Sequence, residues 1–199
     1  MELVFVRHGL PQRVDDAGGP ADPPLSDEGQ VQATGTAEWL APTGIDAIYC
    51  SPMRRARETA EPLASVCGCD VVVDEGLEEF DAHLHFYIPL EELTRDDPRW
   101  EQLVAEWSSP EADATRQSFR KRVVESVERI VSTHPSQRVA LVCHGGVINA
   151  YLSHILDMER TLFFEPGYAS VSRVLAASAG QRQLVSANES PPTRAGLLS

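Results

Sequence analysis

The sequence predicts an α/β fold: a three-layer sandwich with a mostly parallel central sheet, helices on both faces, and a small helical cap inserted at about residues 80–115. Two observations lead there. Leu3–Val6 and Val139–Cys143 are short apolar runs without the alternation of a half-exposed strand, so they read as strands buried on both faces. Stretches of helical periodicity separate these runs, the order expected of βαβ units. A chain of 199 residues, 42% hydrophobic and 24% charged, suits one domain with a sizeable core. We expect that domain over residues 1–187, and a polar, proline-containing, disordered tail over 188–199.

Leu3–Val6 forms the first strand and delivers Arg7, His8 and Gly9 at its end. Residues 10–24, rich in Pro, Gly and Asp, read as a loop. Ser26 is the expected N-cap of a helix to about Ala41, with an apolar stripe of Val31, Thr34, Ala37, Trp39 and Leu40, stopped by Pro42 and Gly44. Ile45–Cys50 is the second buried strand. Ser51-Pro52 then opens a helix to about Val66, Ser as N-cap and Pro at the first helical position. Asp70–Val73 is a short strand, and Leu77–Phe80 a loop or turn. The cap that follows holds His83, His85, Phe86, Tyr87, Trp100 and Trp107. From Arg116 to Thr133, Phe119, Val123, Val127, Ile130 and Val131 recur at helical spacing. After Val139–Cys143 come His144, Gly145 and Gly146, then a helix to about Leu156. Ala169–Ala176 and Gln181–Ala187 are the last strands.

The net charge of −13 argues against nucleic-acid or anionic-membrane partners. The chain begins without a secretory leader and has no apolar run of membrane length, which leads us to expect a cytoplasmic protein. Cys50 and Cys143 read as core residues. Cys67-x-Cys69 lacks a second pair for a zinc site, and His83-x-His85 lacks further ligands, so we expect no metal and no cofactor.

Chemistry enters at the strand ends, where open α/β sheets bind ligands. An arginine forks onto two oxygens of an oxyanion, and a neighbouring imidazole can attack it. Gly9 would let the backbone approach the bound group. If the first strand and Val139–Cys143 are parallel neighbours, His8 and His144 emerge at one sheet edge, with Ser51–Arg55 reaching it from a third strand.

The ordered set Arg7-His8-Gly9, Ser51-Pro52-Met53-Arg54-Arg55-Ala56, Leu77-Glu78-Glu79 and His144-Gly145-Gly146 resembles the histidine phosphatase superfamily, the phosphoglycerate mutase-like proteins. The resemblance runs from residue 2 to about 187 and takes in Leu25–Gly29 and Thr59-Ala60. It implies that His8 becomes phosphorylated, that Arg7 and Arg55 grip the phosphoryl oxygens, that His144 binds and polarises the same group, and that Glu79 protonates the leaving oxygen. Arg54 falls beside the matching position and is expected to be peripheral. The chemistry agrees. Phosphoryl transfer needs positive charge on the equatorial oxygens and an in-line nucleophile, which two arginines and two imidazoles supply. His8 should donate from its other nitrogen to fix the tautomer. The arginines pull the pKa of Glu79 down, whereas burial and a bound dianion push it up, and the sequence leaves that balance open.

Two departures bear on substrate. Where many relatives have Glu, Ser or Thr, and Asn after Arg-His-Gly, this chain has Leu10, Pro11 and Val14, with Gln12 or Arg13 as candidate replacements. The inserted segment has only Arg95 and Arg99 where the mutase branch carries a basic clamp. A metal-independent phosphatase acting on a small organic phosphate with a less polar body is therefore expected. A mutase-type phosphotransferase and a protein (phosphohistidine or phosphoserine) phosphatase are the alternatives, with the chain a monomer or a homodimer.

Overall fold

The computed structural model describes residues 1–88, 96, 97, 99 and 110–191. Arg95, Trp100, Trp107 and most of the expected cap lie outside the described residues, as do residues 192–199 of the expected tail. Six strands, β1 (Glu2–Arg7), β2 (Ala47–Cys50), β3 (Val71–Val73), β4 (Arg138–Cys143), β5 (Val171–Ala176) and β6 (Arg182–Glu189), form one sheet in the order β3-β2-β4-β1-β5-β6. Pairings among β3, β2, β4 and β1 are parallel, and β5 and β6 add antiparallel. The last strand runs to Glu189, into the stretch expected as tail.

Helices α1 (Asp27–Leu40) and α2 (Arg54–Cys67) cover one face of the sheet. Helices α3 (Pro110–Thr133) and α4 (Gly145–Ile155) cover the other. The apolar runs are explained by this layering: Leu3, Phe5, Val139 and Leu141 point into the α3/α4 layer, while Val4, Val6, Ala140 and Val142 point into the α1/α2 layer. The α3 stripe of Phe119, Val123, Val127 and Ile130 is buried, about 1.5–3 kcal/mol for each large side chain.

Three local expectations are corrected. In α1 the buried stripe is Ala33, Thr36, Ala37 and Leu40, while Val31 and Thr34 face solvent. Small residues are selected because α1 lies close against α2. Ser51 is not a helix cap. The α2 helix begins at Arg54, and Asp22 from the preceding loop accepts the Arg54 N–H at 2.8 Å, which frees Ser51 for another task. Gly9 does not make room for a ligand. A Cβ there would sit 2.5 Å from the Gly29 carbonyl oxygen, and one on Gly29 would strike the Leu10 carbonyl. The two glycines let the end of β1 and the start of α1 touch, which is why Gly29 occupies the position where a capping glutamate could stand. Ser26 does cap α1, accepting from Gly29 N at 3.1 Å.

No helix among the described residues is long and apolar enough to cross a membrane.

Candidate active site

β1 and β4 are parallel neighbours with Arg7 opposite Cys143, so the next residue of each strand, His8 and His144, leaves the sheet at one edge. His8 N–H still donates to the Cys143 carbonyl at 2.9 Å, and the two imidazole centroids stand 5.0 Å apart. Arg55 comes from the first turn of α2. A cation at a helix N-terminus opposes the helix dipole, so its place there is a cost that helix formation does not explain. Glu79 follows the 3-10 turn Glu75–Leu77. Its carboxylate accepts from Gly146 N at 2.8 Å, at the start of α4, and from Phe80 N at 3.0 Å. A Cβ on Gly146 would overlap Glu79 Oε1 and lie 2.8 Å from the Phe80 ring, so glycine is required for that approach.

Arg7, His8, Arg55 and Glu79 line one cavity of about 550 Å³. His144, fully buried beside His8, is not among the lining residues, and its Nδ1 finds no partner among the described residues. Arg54 is peripheral, exposed and paired with Glu58. Gln12 reaches the Leu25 carbonyl and Arg13 pairs with Asp15, and neither is among the residues that line the cavity. His83 lines the cavity and His85 does not. Burial pushes the Cys143 thiol up, which leaves it a core residue rather than a thiolate beside His144.

The protonation pattern follows from burial. His8 and His144 are held well below the usual histidine range, first by burial and then by the charge of Arg55 and Arg7. Both rings are neutral at pH 7. His8 Nδ1 lies 2.8 Å from the Gly9 carbonyl, which can only accept, so Nδ1 bears the proton and Nε2 the lone pair. Burial and the neighbouring Asp81 push Glu79 up to about 7, outweighing the two N–H bonds and Arg55. The balance left open by the sequence thus tips upward, toward the protonated form.

The two arginines are anchored on one side and open on the other. Arg7 Nη1 donates to Glu165 at 2.7 Å and to the Pro166 carbonyl, and its guanidinium lies 4.1 Å from the Tyr168 ring centre. Its Nε finds no partner among the described residues. Arg55 is 1% exposed, and its Nε and Nη1 are also without hydrogen-bond partners there. Its carboxylate neighbours, Asp81 and Asp22, stand at 3.9 and 4.0 Å, and the Tyr87 ring at 4.8 Å. Buried guanidinium groups with unused N–H bonds are costly unless an anion completes them.

Sequence reasoning gave no positioning role to the groups that hold this arrangement. Thr59, at the fifth residue after Arg54, accepts Gly9 N–H at 3.0 Å and ties the His8 loop to α2. Glu165 and Tyr168 come from a segment without helical or strand periodicity. Asn149 fixes that segment: its Oδ1 accepts from Phe163 and Phe164 N–H, and its Nδ2 donates to the Phe164 carbonyl. Ser51 was read as a cap, but its Oγ lies 2.7 Å from His144 Nε2 while accepting Met53 N–H at 3.3 Å. With Ser51 fully buried, its own proton has His144 Nε2 as the acceptor in reach, which leaves the proton of the neutral ring on Nδ1. Among the described residues no group of three or more His, Cys, Asp or Glu could hold a metal ion.

Comparisons with known proteins bear on the family. A protein named "Probable phosphoglycerate mutase GpmB" of Escherichia coli is 31% identical over 187 residues, covering 87% of this chain and 84% of its own length. Its namesake in Cronobacter sakazakii is 29% identical with the same coverage. The solved structure of a mycobacterial glucosyl-3-phosphoglycerate phosphatase superposes with a TM-score of 0.74 at 26% identity, over 95% of this chain and 99% of that one. The family profile of the histidine phosphatase superfamily, branch 1, matches residues 3–190, and the chain belongs to that superfamily.

Proposed function

We propose that this protein is a phosphatase that hydrolyses a phosphomonoester through a phosphohistidine on His8, without a metal. The observation that carries the reading is the pair of buried, incompletely partnered arginines on either side of a neutral imidazole whose Nε2 is the attacking lone pair. Arg7 and Arg55 supply the positive charge that phosphoryl oxygens need in flight.

In the first step His8 Nε2 forms a bond to phosphorus as the ester P–O bond breaks, and the leaving oxygen takes the proton of Glu79. In the second, water attacks phosphorus, its proton passes to the Glu79 carboxylate, and the P–N bond breaks to give phosphate and neutral His8. Glu79 suits both steps because a pKa of about 7 lets it give and regain a proton near neutrality. His144, with its proton on Nδ1, is a neutral donor one ring behind His8.

The name carried by the curated relatives makes a phosphoglycerate mutase the second reading. One experiment tests both. The purified protein is offered 4-nitrophenyl phosphate and, separately, 3-phosphoglycerate, with acid-labile, base-stable phosphoprotein trapped after brief incubation. The expected results are free phosphate from the ester, label on His8, loss of both in His8→Ala, and little 2-phosphoglycerate. Label on another residue, or wild-type turnover in His8→Ala, overturns the mechanism. Efficient interconversion with little free phosphate overturns the phosphatase reading.

A further inference from the structure

We infer that the leaving group this site is shaped to take is a bulky, ring-bearing apolar alcohol, so that aryl or comparable phosphomonoesters are its preferred substrate class. The inference rests on the phosphatase reading above and says what lies beyond the phosphoryl group.

The cavity wall is mostly apolar. Its volume of about 550 Å³ is in the range that holds a molecule of drug size, far more than a phosphoryl group fills. Away from Arg7, His8 and Arg55 it is walled by Phe80, Leu84, Phe119, Leu162, Phe163 and Phe164. These come from three places in the chain: the stretch after Glu79 that holds Phe80 and Leu84, the stripe of α3, and the segment after α4. They form two ring pairs, Phe80–Phe119 edge to face at 5.6 Å and Phe163–Phe164 at 5.0 Å between centroids. The second pair is held by Asn149 through both backbone N–H groups, so the wall is positioned rather than incidental. Arg116 and Arg160 complete the lining, and a flat guanidinium stacks on a ring face as well as it pairs with an anion.

A three-carbon acid such as phosphoglycerate can bring its carboxylate to Arg116 or Arg160, but it leaves most of the phenylalanine wall uncovered. A ring-bearing body would remove that apolar surface from water and could meet the phenylalanines edge to face. Phe163 and Phe164 follow no helix or strand pattern, which is why the sequence shows cap aromatics but not this wall.

The test is a substrate series on the full-length protein at one pH: phenyl phosphate and 1-naphthyl phosphate, whose leaving phenols are of similar acidity, with glycerol 2-phosphate and 3-phosphoglycerate as polar comparators. We expect kcat/KM for the naphthyl ester to exceed that of the phenyl ester by about tenfold or more, from the area of the second ring. Phosphate release from both polar esters should be weaker than from either ring ester. In Phe163→Ala the naphthyl-to-phenyl ratio should collapse toward one. The wild-type series decides the matter even if that variant fails to fold. A naphthyl-to-phenyl ratio near one, or 3-phosphoglycerate hydrolysed best of the four, refutes the inference while leaving a working phosphatase. No hydrolysis of any ester refutes the phosphatase reading instead.

Discussion

Replacing Glu79 with Gln isolates the energetic consequence of a carboxyl kept protonated by burial. Its pKa rises from 4.5 to about 7 on folding, with burial the largest cause and Asp81 the next. Between those two values the native state binds more protons than the unfolded chain, so its stability falls as pH rises. Applied to these pKa values, the linkage relation gives a destabilisation of about 1 kcal/mol at pH 5 and about 3 kcal/mol at pH 8. Glutamine carries no such pH dependence. It does disturb one of the bonds from Phe80 N or Gly146 N, at a pH-independent cost of about 1–3 kcal/mol. That cost cancels when the two proteins are compared at two pH values. Relative to the native protein, Glu79→Gln should therefore gain about 2 kcal/mol of stability between pH 5 and pH 8. Urea denaturation of both proteins at the two pH values measures it. Asp81→Asn is the control: removing the neighbouring charge should shrink the difference. In Glu79→Gln, phosphoryl transfer to His8 should be about a hundredfold slower from alkyl phosphates and almost normal from a nitrophenyl ester, because only the former needs a proton on its leaving oxygen; the nitrophenolate burst reads that step apart from hydrolysis of the phosphohistidine, in which Glu79 also serves. A stability difference that is identical at both pH values would mean that Glu79 ionises in the ordinary carboxylate range, and the general-acid role would lose its physical basis.

Three further outcomes are expected. Hydrolysis of an aryl phosphate should survive prolonged EDTA treatment, since Arg7 and Arg55 supply the positive charge; loss restored by a divalent cation would contradict the proposed mechanism. Ser51→Ala removes the hydroxyl on His144 Nε2, and should lower kcat about five- to tenfold, the worth of one hydrogen bond. In ¹⁵N spectra the Nδ1–H tautomer of His144 should give way to a mixture in that variant, and an unchanged spectrum would count against Ser51 as its positioning residue. Gly146→Ala should push Glu79 from its place and reproduce the leaving-group selectivity of Glu79→Gln with the carboxyl still present; equal losses on alkyl and nitrophenyl esters would point to a general collapse of the site.

The layered architecture was legible because burial on both faces writes itself into local composition. Leu3–Val6 and Val139–Cys143 are uninterrupted apolar runs for that reason, and the α3 stripe repeats at helical spacing because one side of the helix meets the sheet. The chemical groups were legible because each sits at the end of such an element: Arg7 and His8 at the end of β1, His144 after β4, Arg55 in the first turn of α2. Where local rules competed, they misled. Ser51-Pro52 has the form of a helix start, but Asp22 caps α2 from a loop and Ser51 turns to His144 instead. Val31 fits a helical stripe, but α2 demands small residues at the contact and leaves it in solvent.

By itself, then, the sequence determined the βα order and put Arg7 and His8 at the end of one strand and His144 at the end of another, since these depend on residue type and short-range spacing; Arg55 and Glu79 were singled out by the resemblance to the histidine phosphatases. Only the tertiary structure decided that burial raises the Glu79 pKa to about 7, that His8 presents Nε2, that His144 hydrogen-bonds Ser51, and that Phe163 and Phe164 wall the cavity. Those properties depend on burial and on partners far away in the chain: Gly146 for Glu79, Ser51 for His144, Asn149 for the phenylalanine segment. Desolvation and hydrogen-bond geometry are set by what surrounds a group in space, and the linear order of residues does not carry that information.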